Sequence, residues 1–163
     1  METVTYTLVA FVLIGLILAF VEPKIQELQD KALIEQSMNV LKQIDSVIKD
    51  VDTSGVGNKR MIEVSVKKGE IIIDSENDTI SFVFEGKYMY SEPGQKMEDG
   101  LFEVLTTNKG SDYEVRMELN YSNFDLTYLG EEKTKVLQNS PSAYELFISN
   151  KGGENKVIDF SLK

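Results

Sequence analysis

The chain has 163 residues and a formal charge of −10, from 27 Asp and Glu against 17 Lys and Arg, and it contains neither cysteine nor histidine. That length is room for about one domain plus an extra element. The absence of cysteine excludes disulfides and thiolate metal centres, the absence of histidine removes the commonest general base and neutral-pH switch, and an acidic chain with no basic patch is a poor partner for nucleic acid.

The first element is hydrophobic. No charge falls between Thr3 and Val21, and every residue from Leu8 to Val21 is apolar or glycine. A bilayer span needs roughly 20 such residues, so this stretch is just long enough. A cleaved secretory signal fits poorly, because no Lys or Arg precedes the run and no small-residue cut site follows it. Glu22-Pro23 then leads into a second helical stretch. Ile25, Leu28, Ala32, Ile34, Met38, Leu41, Ile44, Ile48 and Val51 recur at steps of mostly three and four, with Gln, Lys, Asp and Glu between them, which marks one helix face. Pro23 removes one backbone donor and is expected to bend the helix rather than end it. The two stretches together predict a rod of ~75 Å at about 1.5 Å per residue.

Short polar residues and two glycines, Gly55 and Gly57, mark residues 53–58 as a linker or helix cap. Beyond it the hydrophobic period becomes two. Ile62, Val64 and Val66 alternate with polar neighbours, as do Ile80, Phe82 and Phe84. Glu70–Ile73, Lys87–Tyr90, Leu101–Thr106, Tyr113–Leu119, Phe124–Leu129, Lys135–Leu137, Tyr144–Ser149 and Lys156–Leu162 are further predicted strands. Turn signals at Lys68-Gly69, Glu92-Pro93-Gly94, Asn108-Lys109-Gly110, Asn139-Ser140-Pro141 and Asn150–Gly153 separate them. The expected class is α+β: a long hydrophobic-to-amphipathic helix over residues 1–52, the linker, and an antiparallel β-sandwich over residues 59–163.

In this arrangement the chain resembles the archaeal type IV pilin-like proteins, the group of adhesive pilins and archaellins. The likeness spans the whole length. It is carried by the helix plan and by two stretches, Gly57 to Gly86 (GNKRMIEVSVKKGEIIIDSENDTISFVFEG) and Tyr144 to Leu162 (YELFISNKGGENKVIDFSL). A proline early in the helix recurs in that group, and Pro23 matches its place within one residue. Two features depart from the pattern. No basic leader precedes the apolar run, so either this is the mature chain or the leader is absent. Thr5 stands where many members carry a glutamate that pairs with a neighbour's N-terminal amine.

The resemblance implies a structural subunit of a helical homopolymer outside the cell, held in the membrane before assembly, handled by pilus assembly machinery, and used for adhesion or cell contact. Leu8, Phe11, Val12, Gly15, Leu16, Ala19 and Pro23 would pack in the filament core. The opening Met-Glu-Thr leans away from archaellins, which usually begin with small residues. An archaellin-type motility filament, or a monomeric membrane-anchored binding module, remains the alternative.

Individual residues add detail. Glu2, the only early acid, is costly inside a helix bundle unless paired, and a neighbour's amine is a candidate partner. Gly15 and Ala19 form a small-xxx-small pair that permits close helix approach in lipid. The stripe along Lys24–Val51 is expected to pack on neighbouring helices, with Met1–Val51 in the filament core, and the chain's own domain is the other possible cover. Asn77-Asp78-Thr79 and Asn120-Tyr121-Ser122 fit the N-glycosylation sequon, whereas Pro141 disqualifies Asn139. Asp74, Glu76 and Asp78 alternate as at the start of a calcium loop, but that loop's glycine and closing glutamate are missing. Glu98-Asp99 and Glu131-Glu132 are paired acids in polar stretches without an apolar pocket to raise their pKa. No catalytic residue, cofactor or metal site follows, and an enzyme is not expected.

Overall fold

The computed structural model describes residues 2–153 and 155–163, with side chains from Val4 onward. One helix, α1 (Glu2–Thr53), leads into ten strands among the described residues. These are β1 (Lys59–Val64), β2 (Glu70–Asp74), β3 (Thr79–Gly86), β4 (Lys96–Asp99), β5 (Phe102–Lys109), β6 (Asp112–Asn120), β7 (Asp125–Tyr128), β8 (Lys135–Gln138), β9 (Tyr144–Gly152) and β10 (Val157–Leu162). The chain is therefore α+β, a long N-terminal apolar helix followed by largely antiparallel sheets. Pro23 lies inside α1 and does not end it.

The strands form a four-stranded sheet in the order β1-β9-β10-β7 and a six-stranded sheet in the order β4-β5-β6-β3-β2-β8. All pairings are antiparallel except one. β7 runs parallel to β10, with Leu126 opposite Ile158, so the expectation of a purely antiparallel sandwich is corrected there. Parallel neighbours need a long crossover. Here β8 and β9 intervene in sequence, and β8 belongs to the other sheet.

Both sheets and the rear of α1 enclose one hydrophobic core. Ile34, Leu41, Ile44, Ile48 and Val51 are fully buried in the same cluster as Phe82, Phe84, Phe102, Ile148 and Phe160. α1 touches β3 of one sheet and β1 and β9 of the other. The apolar stripe of Lys24–Val51 is thus covered by the chain's own domain from Ile34 onward, whereas Ile25 and Leu28 stay exposed. The core does not stop at residue 52.

The helix end is tied down at several points. Asn150 on β9 donates from Nδ2 to the Val51 carbonyl (3.3 Å), one of the four carbonyls a helix leaves without partners. Gly57, in the left-handed region at φ +87°, donates its N–H to the Asn150 carbonyl (2.8 Å). Arg60 pairs with Asp50 (3.0 Å) and Lys156 with Asp52 (3.1 Å). Residues 53–58 act as a cap fastened to β9 rather than as a free linker.

Two strand assignments change. Lys87–Tyr90 is not a strand. Its half-buried tyrosines lie against the core instead, and the Tyr90 hydroxyl donates to the Asp99 carboxylate, close to Met38 Sδ (3.6 Å). Burial and that acidic partner together push the Tyr90 hydroxyl pKa well up. β4, which pairs with β5 through Met97 and Val104, carries the sequence KMED without apolar alternation, as suits an exposed edge strand. Val66, expected in the first strand, is buried just beyond β1, where its carbonyl accepts from Ser140 N–H (3.0 Å).

The division of α1 gives a direct contrast. Ile44→Ala is expected to lower the stability of the detergent-solubilised chain by about 2–5 kcal/mol through a core cavity, whereas Leu16→Ala leaves the urea midpoint unchanged. Urea unfolding followed by tyrosine fluorescence distinguishes the two.

Candidate functional site: a bare apolar rod and its collar

The front of α1 is the most unusual surface of the molecule. Within Val4–Thr53, an 18-residue stretch has a mean hydropathy of 2.6 and no buried residue, long and apolar enough to cross a membrane. Large apolar side chains from Val4 to Val21 are exposed by 42% (Val21) to 77% (Phe20). They point in every direction, since successive residues turn about 100° around a helix. Covering a side chain of this kind is worth roughly 1.5–3 kcal/mol, so water is excluded as the working environment of the whole rod.

Leu8, Phe11, Val12 and Leu16 are all exposed on this rod. At Gly15 no atom lies within 4 Å of the place a Cβ would occupy. Ala19, one turn later, is exposed on the same face, so the two small residues leave an open notch. Pro23 is also exposed. The side chain of Glu2 lies outside the described residues, and its pairing with an amine has no geometry here.

A charged collar follows. Glu22 and Lys24 are exposed, Lys24 pairs with Glu27 (2.7 Å), and Lys31 approaches Glu35 (3.9 Å). Exposed pairs of this kind contribute little stability, but they end the surface that lipid or apolar protein can cover. The rod from Val4 to residue 29 projects roughly 40 Å at about 1.5 Å per residue.

Asp30 is where the rod meets the domain. It is 5% exposed. Lys68, in the β1–β2 turn, donates to Oδ1 (3.0 Å), and the Lys87 backbone N–H donates to Oδ2 (2.6 Å). The Lys68 ammonium also stands over the Phe84 ring (4.6 Å). A Cβ on Gly86 would come within 2.4 Å of Asp30 Oδ2 and 2.6 Å of the Phe84 ring, so only glycine lets β3 end this close to the helix. Further along, Asp45 accepts from Tyr121 O–H (3.3 Å) and Lys49 (2.7 Å). Burial, then the Asp45 charge, pushes the Tyr121 hydroxyl pKa well up. These buried acids fix the rotation of the rod relative to the six-stranded sheet. Periodicity alone gave no sign of them, because Asp30 and its partners lie 38 and 57 residues apart.

The remaining sequence candidates sit on the sheet domain. The acidic turn is held by the chain's own donors: Asp74 accepts from Glu76 N–H (3.1 Å) and Asn77 Nδ2 (2.9 Å), and Asp78 from Leu126 N–H (2.8 Å). The Asn77 amide keeps the Asp74 carboxyl below its usual pKa. No group of three or more metal-ligating side chains occurs among the described residues. Of the paired acids, Asp99 is taken by Tyr90, and Glu131 pairs with Lys133 (2.7 Å). Asn77 and Asn120 are both exposed, and their tripeptides adjoin, with Thr79 opposite Asn120.

Asp30→Ala removes the buried carboxylate that accepts from the Lys87 N–H and from Lys68. It is expected to cost about 1–3 kcal/mol and to raise amide hydrogen exchange around residues 26–40, with recovery of the chain in membranes unchanged.

The chain matches no protein-family model, no curated protein and no solved structure, so the functional reading rests on the rod, its collar and the domain they carry.

Proposed function

We propose that the chain is a structural subunit that polymerises into a helical, extracellular, type IV pilus-like filament for adhesion or cell contact. The apolar rods form the filament core and the sheet domains its outer surface. Before assembly the rod resides in the membrane, from which assembly machinery withdraws it.

The observation that carries this reading is the continuity of α1. Its front is bare on all sides, and its rear is locked into the domain as part of the same helix, which runs on through Pro23. A helical polymer requires every subunit to present its outer domain at one fixed angle to its core element. A tether that only holds a domain at a bilayer has no such need. Leaving lipid for a filament core gains little hydrophobic energy, because one apolar surround replaces another, so close packing must supply the difference. The open notch at Gly15 and Ala19 favours such close approach.

One observation favours a second reading, a monomeric membrane-anchored module. Ile34 to Val51 are buried at home, which confines contact with neighbouring copies mainly to the rod and collar. Filling the notch separates the two. Gly15→Leu with Ala19→Leu keeps the rod apolar, so the chain remains in membranes. Material sheared from cells and viewed by electron microscopy is expected to contain fibres of the native chain and none of the double variant. Native cells without such fibres, or equally abundant fibres from the variant, contradict the polymer reading.

A further inference from the structure

The two sequons meet at one corner of the six-stranded sheet. Thr79 pairs with Asn120 in the β3–β6 register, and Tyr121 N–H donates to the Asp78 carbonyl (2.9 Å). The corner treats them differently. In Asn77-Asp78-Thr79 each residue is engaged: Asn77 Nδ2 donates to Asp74 Oδ2 (2.9 Å), Asp78 Oδ1 receives Leu126 N–H, and Thr79 is 7% exposed. Asn77 is exposed, but its amide nitrogen and the Thr79 hydroxyl are not presented together.

In Asn120-Tyr121-Ser122 the arrangement is reversed. Only the middle residue, Tyr121, is buried, and Asn120 and Ser122 are both exposed. Asn120 Oδ1 accepts the Ser122 N–H (2.9 Å), forming a turn that fixes the carboxamide. Among the described residues Asn120 Nδ2 donates to no group, so it is available.

We propose that Asn120, and not Asn77, is an N-glycosylation site, with the saccharide lying on the outer face of the six-stranded sheet. In the transfer, the Asn120 amide nitrogen attacks the anomeric carbon of a lipid-phosphate-linked saccharide. The N–C bond forms as the anomeric C–O bond breaks, the lipid phosphate departs with that electron pair, and one amide proton passes to a base on the transferase. Beside Asn120 lies an open depression of about 420 Å³ lined by Glu98, Gly100, Leu101, Phe102, Glu103 and Glu118. Leu101 is 55% exposed and offers an apolar platform. Glu98, Glu103 and Glu118 stand directly opposite one another across β4, β5 and β6, with Lys96 on Glu103 at 2.5 Å. Adjacent like charges are unfavourable, and sugar hydroxyls donating to them would relieve part of that cost. The same carboxylates repel an acidic sugar, so the first residue of the saccharide is not acidic.

The inference rests on the proposed placement of the sheet domain outside the cell. The test is mass spectrometry of tryptic peptides from the full chain isolated from cells that make it. Residues 117–133 carry Asn120, and residues 69–87 carry Asn77. The first peptide is expected to bear a sugar mass beginning with a non-acidic hexose or amino sugar, and the second to be unmodified. Ser122→Ala should abolish the added mass and Ser122→Thr retain it. A bare 117–133 peptide, or sugar on 69–87, on a chain that added protease reaches from outside overturns this inference alone. An acidic first sugar on Asn120 overturns the assigned sugar class, and a domain shielded from that protease overturns the extracellular reading together with this one.

Discussion

A single hydrogen-bonded helix divided between two surroundings governs the rest of the molecule. From Val4 to Ile25 its side chains touch almost nothing of the chain, Gln26 and Gln29 border the sheet domain beside Lys68 and Glu85, and from Asp30 to Val51 one face is core. The backbone is continuous across that division, so the domain cannot swing without either unfolding a turn or tearing the buried face from the sheets. Asp30 sharpens the boundary. A carboxylate taken out of water must be paired and hydrogen-bonded, and its two partners come from the β1–β2 turn and the end of β3. The rod is thereby registered to both the fold and its orientation.

The sheet domain carries features that resist sticking. Its sheet edges are β4 and β8 in one sheet and β1 and β7 in the other, and they carry Lys96, Glu98, Lys135, Lys59 and Arg60. Charged edge strands resist further strand pairing, and the excess of acidic over basic residues, −10 for the whole chain, adds mutual repulsion between copies. Attraction is then confined to the apolar rod. That separation, adhesive core and repulsive shell, suits a polymer whose subunits must associate in one geometry only.

Much of the plan was legible in the sequence, for identifiable reasons. The uncharged run to Val21 and the three-and-four spacing after it marked α1 because helix periodicity is local. The alternation at Ile80, Phe82 and Phe84 marked β3 for the same reason. What periodicity did not convey was the identity of the cover: Ile25 and Leu28 share a stripe with Ile34 and Leu41, yet only the latter pair is buried. Lys87–Tyr90 has the composition of a strand, but its tyrosines serve packing and the Asp99 hydrogen bond. Lys96–Asp99 lacks an apolar face because it is an edge. The parallel β7–β10 pair and the Asp30 latch depend on partners tens of residues away. The bare rod itself was fully readable, and its latch was not.

The central claim concerns what surrounds the rod, and the absence of native cysteine makes it measurable. Phe11, Val12, Leu13 and Ile14 point to four sides of the helix, so single substitutions to cysteine at each, treated on intact cells with membrane-permeant bifunctional thiol reagents that reach across a helix pair, report contacts all round. Cross-linked dimers from fibres at positions on more than one side are the expected result, since one cysteine per chain joins at most two chains. Monomer alone at all four positions, with the chain confined to membranes, contradicts a core made of its own copies.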